Sequence, residues 1–147
     1  MTRTQMLRRQ HDAAELIAAE ILEALDGPAS SANAYAISLK LAKLHGLLRI
    51  HLAQEDHSLY PAMIASDDAA ASLAATAFKA EMGGLSNTFA AYVDRWATST
   101  VIEASFERFL EETKTVLGAL AHRIKRENEE LYPLADSLRD EDRPRAA

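Results

Sequence analysis

With 147 residues the chain suits one domain around one hydrophobic core, and its formal net charge of −6, with basic residues scattered among acidic ones, excludes a sequence-independent grip on nucleic acid. Five glycines and four prolines in an alanine- and leucine-rich background that is 48% apolar point to an all-α fold. The lack of cysteine excludes disulfides and thiolate metal sites, so a metal would have to be held by nitrogen and oxygen. The opening Met-Thr-Arg-Thr-Gln-Met-Leu-Arg-Arg never reaches a long apolar region, and no stretch approaches the ~18 unbroken apolar residues of a membrane span, so a cytoplasmic protein without a membrane partner is expected.

Helix A is predicted from Leu7, His11, Ala14, Ala18, Ile21 and Leu25, which recur at steps of three and four and mark one buried face. Asp26-Gly27-Pro28-Ala29-Ser30-Ser31 ends it and supplies the next cap. Helix B carries the stripe Ile37, Leu41, Leu44, Leu48, His51, Glu55, Leu59, with Pro61 near its end. Ser66-Asp67-Asp68 caps an alanine-rich helix C with the stripe Phe78, Glu81, Leu85, Phe89, Tyr92, Trp96. Gly83-Gly84 in its middle costs on the order of 1 kcal/mol per glycine, so a bend or a close contact is expected there. Thr100 and Glu103 have capping-box spacing for helix D, which is predicted to run to about Leu138. The expected fold is an antiparallel up-down four-helix bundle over residues 1–138, followed by a charged tail over 139–147.

Ionisable residues on apolar stripes are the chemical signal, because an unpaired imidazole or carboxylate is costly to bury. His51-Leu-Ala-Gln-Glu55-Asp-His-Ser-Leu-Tyr60-Pro61 is echoed by His122-Arg-Ile-Lys-Arg-Glu127-Asn-Glu-Glu-Leu-Tyr132-Pro133, so helices B and D look like related halves. Histidine and glutamate four apart on helix B project from one face, where a metal between helices could take both.

These elements resemble the hemerythrin-like, HHE cation-binding family over nearly the whole chain. That family is marked by a histidine on the first helix, His-x-x-x-Glu on the second, histidines on the third and His-x-x-x-x-Glu or Asp on the fourth. The corresponding residues here are His11, His51 with Glu55, Glu81 in the third-helix place, and His122 with Glu127. The resemblance implies two non-heme irons, joined by an oxo or hydroxo bridge, with Glu55 and Glu127 bridging, His11 and His51 on one iron, and His122 with Glu81 on the other. Helix C departs from the pattern, with Glu81 and Leu85 where the oxygen carrier has two histidines. Fewer nitrogen ligands and one more carboxylate favour ferric iron, so reaction with or sensing of dioxygen, peroxide or nitric oxide is expected over reversible carriage. An enzyme would consume peroxide or oxidise iron, whereas a sensor would change shape or signalling partner. The alternative is a metal-poor bundle acting by protein contact.

One geometric conflict stands within this scheme. A four-residue step turns about 40° past a full circle, whereas the five-residue step from His122 to Glu127 leaves them roughly 140° apart. With Glu127 level with Glu55, the position matching His51 is Arg123, so His122 must reach in from the side or a π-bulge must widen the turn. His45 and His57 lie about 120° from His51 and are expected at the surface or against a neighbouring helix. Tyr60 and Tyr132 suit ordinary packing, with a phenol close to the metals as the second option.

Overall fold

The computed structural model describes Thr2 and residues 4–138; the tail expected at 139–147 lies outside the described residues. Among them, eight α-helical segments run in order: α1 (Gln5–Leu25), α2 (Ser31–Gln54), α3 (Tyr60–Ile64), α4 (Ala69–Met82), α5 (Leu85–Arg95), α6 (Ser99–Ala104), α7 (Phe106–Arg126) and α8 (Tyr132–Ser137). Two five-residue π-turns, Glu55–Leu59 and Glu127–Leu131, join α2 to α3 and α7 to α8 without interrupting the rods. Four rods result: α1, α2 with α3, α4 with α5, and α7 with α8, so the chain forms an all-helical bundle of four rods, as expected. No strand occurs among the described residues, and no helix there is long and apolar enough to cross a membrane.

The rods are arranged so that α1 packs on α2 and α7, while α5 packs on the other sides of α2 and α7. The short linkers have local causes. Ser30 adopts an extended backbone and its side chain accepts from the Asn33 N–H, while the Asn33 amide donates to the Ala24 and Pro28 carbonyls and folds α2 back along α1. At the opposite end the Thr4 N–H and hydroxyl donate to Asp136, which ties the start of α1 to α8. Asp68 caps α4 through the Ala71 N–H, as its sequence position predicts. Before α6 the cap is Thr98 and not Thr100, because Thr98 has the extended backbone that lets its oxygen meet the Val101 N–H. The third rod breaks at Gly83-Gly84, where a Cβ on Gly83 would come within 2.5 Å of the Lys79 carbonyl oxygen.

Each π-turn ends two residues before a proline. Pro61 and Pro133 offer no N–H, and their rings crowd the carbonyl four residues back; a wider turn relieves both, with the Tyr60 N–H donating to the Glu55 carbonyl and the Tyr132 N–H to that of Glu127. A five-residue turn brings Glu55 and Tyr60, and equally Glu127 and Tyr132, onto one inward face.

Apolar side chains form two clusters. The larger holds Ile17, Ile21, Leu44, Leu48, Phe89, Tyr92, Trp96, Phe109 and Leu120; the smaller holds Leu7, Leu59, Met63, Ala75, Phe78 and Leu131. Along three of the rods the changeover between them falls near a polar residue: His11 between Leu7 and Ala14, Glu55 between Leu52 and Leu59, Glu127 between Ile124 and Leu131. A polar layer is thus sealed between two apolar ones. Phe109 is fully buried and meets Trp96 edge-on at 5.2 Å between centroids. Phe109→Ala is expected to cost about 3–5 kcal/mol, which urea unfolding followed by the fluorescence of the single tryptophan will measure.

Candidate metal centre

The polar layer gathers His11 from α1, His51 from α2, and Glu55 and Glu127 from the two π-turns. All four are buried, and one donor atom from each lies within 4.8 Å of the others. His51 Nε2 is 3.0 Å from Glu55 Oε1, and His11 Nε2 is 3.2 Å from Glu127 Oε1. Yet His51 Nε2 and Glu127 Oε1 have no hydrogen-bond partner. Buried polar atoms are rarely left this way, and two of them turned to a common point are what a cation would satisfy.

The outer nitrogens explain the orientation of the inner ones. His51 Nδ1 lies 2.6 Å from the Gln10 amide oxygen, and His11 Nδ1 lies 2.8 Å from that of Asn128. Amide oxygens only accept, so each Nδ1 carries the proton and each Nε2 presents a lone pair to the layer. Burial holds the His51 pKa down at about 3, assisted by the neighbouring His11, so its imidazole is neutral.

The carboxylates are held from the other side. Tyr132 donates to Glu55 Oε2 at 2.7 Å and Tyr60 to Glu127 Oε2 at 2.7 Å, each phenol serving the glutamate of the opposite repeat. Tyr132 also stacks on His11 with centroids 5.1 Å apart. Arg123, only 2% exposed, places Nε 3.2 Å from Glu127 Oε2 and Nη2 3.2 Å from Glu55 Oε1. Its third group, Nη1, donates to the Met82 carbonyl, one of the last carbonyls of α4. Burial and the charge of Glu127 raise the Glu55 pKa; Glu127 is lowered despite its own burial, through contacts with His11 and Glu55 and the Arg123 charge. With one guanidinium between two buried carboxylates, the charged form is favoured on Glu127 and disfavoured on Glu55.

Two residues expected in the site lie elsewhere. Glu81 is about half-exposed and pairs with Arg126 at 2.9 Å. The break at Gly83-Gly84 separates the periods of α4 and α5, and the inward side of α4 is Ala71, Ala75 and Phe78, with Met82 half-buried. His122 is exposed, because the π-turn begins only at Glu127 and leaves the preceding turn of α7 to face Arg123 inward. Glu81 and His122 instead line one cleft of about 380 Å³ with Leu85, Thr88, Ala119 and the buried Arg123. The tyrosine hydrogen bonds match the second of the two options the sequence offered for Tyr60 and Tyr132, whereas the amide contacts of Gln10 and Asn128 were not expected. The repeated Leu-Tyr-Pro was the available signal for the former.

A model of the hemerythrin HHE cation binding domain matches residues 2–135. The chain belongs to the hemerythrin HHE cation-binding family. No curated protein and no solved structure matches it. A buried cluster of two imidazoles and two carboxylates is in keeping with the metal binding that the family name states. Replacing the amide that orients an imidazole, in Gln10→Leu or Asn128→Leu, is expected to weaken cation affinity about 10–100-fold, which competition with a coloured chelator will measure.

Proposed function

We propose that this hemerythrin-like protein holds one non-heme iron ion on His11, His51, Glu55 and Glu127 and exposes it to a small oxidant, namely dioxygen, peroxide or nitric oxide. The carrying observation is the pair of orphaned buried donors, His51 Nε2 and Glu127 Oε1, which share one point with the inner atoms of His11 and Glu55. Imidazole and carboxylate suit iron, manganese and zinc, and the family resemblance is what favours iron. One ion is proposed in place of the two that the resemblance implies, because the donors converge on one point while Glu81 and His122 face outward.

When bound, a ferrous ion supplies redox chemistry toward the oxidant. The protein supplies everything around it. Gln10 and Asn128 keep both imidazole lone pairs inward, and a bound cation would favour the ionised form of Glu55. Tyr60 and Tyr132 keep the outer carboxylate oxygens hydrogen-bonded, which leaves the inner oxygens for the ion. The cleft lined by Leu85, Thr88, Ala119 and the ionisable Glu81 and His122 also has Arg123 in its wall, which brings it to the edge of the layer.

Protein purified from iron-replete cells is expected to carry about one iron per chain. The double variant His51→Ala, Glu127→Gln is expected to carry none while keeping its helical circular dichroism. The ferrous wild type is expected to change its optical spectrum on addition of air, peroxide or nitric oxide, and the double variant to stay silent. A full iron load in the double variant would remove the site assignment.

A further inference from the structure

The polar layer has an approximate internal symmetry that its chemistry does not share. His51, Glu55, Tyr60 and Pro61 of the first half correspond to Arg123, Glu127, Tyr132 and Pro133 of the second, with the same spacings and a π-turn in each. In the first half the residue one turn before the glutamate presents an imidazole lone pair. In the second it presents a guanidinium, a permanent cation that coordinates nothing. Arg123 nonetheless stands as a second cation would: it touches one oxygen of Glu55 and one of Glu127, spanning the two carboxylates.

The surroundings are built for this charge. The break of the third rod leaves the Met82 carbonyl to accept from Nη1, in place of a side chain from that helix. Asp56 adds a third carboxylate 3.7 Å from Nη2, and the Tyr60 ring lies with its centroid 5.7 Å from the guanidinium carbon. All three guanidinium nitrogens are hydrogen-bonded, so the side chain has no slack to swing aside for an incoming ion.

The geometry points to Arg123 as a resident substitute for a second metal ion, one that limits the site to a single exchangeable cation and keeps the metal-free bundle folded. This rests on the single-ion reading of the four donors. Replacing the guanidinium with an imidazole, in R123H, puts a lone pair at that position and creates a second ion site together with Glu55, Glu127 and Asp56, by analogy with the set that His51 completes in the first half.

The test is a metal count after anaerobic loading with Fe(II) and desalting, on wild type, R123K and R123H, with circular dichroism to monitor folding. The expected result is one ion per chain in wild type and R123K and two in R123H. One ion in a folded R123H overturns the inference and leaves the single-ion reading standing; two ions in wild type overturn the inference directly. No ion in any of the three overturns the cation-site reading and the inference with it. R123Q supplies a second measurement that does not depend on R123H folding. Its metal-free melting temperature is expected to fall, and saturating Fe(II) is expected to raise it by more than in wild type. An R123Q melting temperature equal to wild type overturns the role of Arg123 as the substitute cation.

Discussion

The bundle is organised around the burial of two facing carboxylates. Glu55 and Glu127 have no measurable exposure, and apolar clusters lie above and below them. An isolated carboxylate in such a place costs several kcal/mol even after relaxation, and two side by side repel each other as well. The structure meets this with one fixed positive charge, two phenolic donors and a Glu55 carboxyl whose charged form is disfavoured, which together bring the metal-free layer toward neutrality. Neutrality here is what allows a polar layer to sit in the middle of a helical core at all. It also explains why the surrounding features occur together: the prolines widen two turns, the widened turns bring each glutamate and its following tyrosine to one face, and each tyrosine crosses to the opposite glutamate.

Related halves do not have to stay equivalent. The first half keeps histidine and thus a donor; the second has arginine and thus a charge. The change is visible in what the third rod contributes. On the side of α1 a histidine side chain enters the layer, whereas on the side of α4 only a main-chain carbonyl does, and a carbonyl is the partner a guanidinium needs. The helix break, the exposure of Glu81 and the inward turn of Arg123 are therefore three views of one local arrangement. A continuous third helix would have satisfied the Met82 carbonyl internally, and Arg123 would have lost the group that fixes its far end.

Much of this was legible from residue order alone, for a physical reason. The stripe of α2, from Ile37 through His51 and Glu55 to Leu59, is buried throughout, because an unbroken helix keeps its period. The histidine of α1 and both glutamates obey the same regularity. The same rule misplaced Glu81, since Gly83-Gly84 resets the period and a stripe drawn across the break joins two unrelated faces. His122 and Arg123 were a conflict between motif and geometry: the five-residue spacing favoured the histidine, the helical angle favoured the arginine. The angle prevailed, because a π-turn that starts at Glu127 re-aims only residues beyond Glu127 and leaves α7 regular up to that point. The amide partners Gln10 and Asn128 lay beyond reach, since they depend on how neighbouring rods are set side by side and no spacing within one helix encodes that.

A guanidinium and a metal ion are unequal as neighbours of a redox centre, even where they neutralise the same carboxylates. A second iron would bring its own electron and open coordination positions; Arg123 brings a charge that does not titrate at any working pH and no electron at all. Under the proposed reading, the ferrous-to-ferric change of the centre then supplies one electron where an iron pair would supply two. Its fixed positive neighbour also penalises the gain of positive charge when the ion is oxidised, an effect that burial strengthens by lowering the local dielectric. Both consequences disfavour two-electron reduction of dioxygen at one encounter and favour partners that react by a single electron or bind without electron transfer, of which nitric oxide is the smallest on the proposed list.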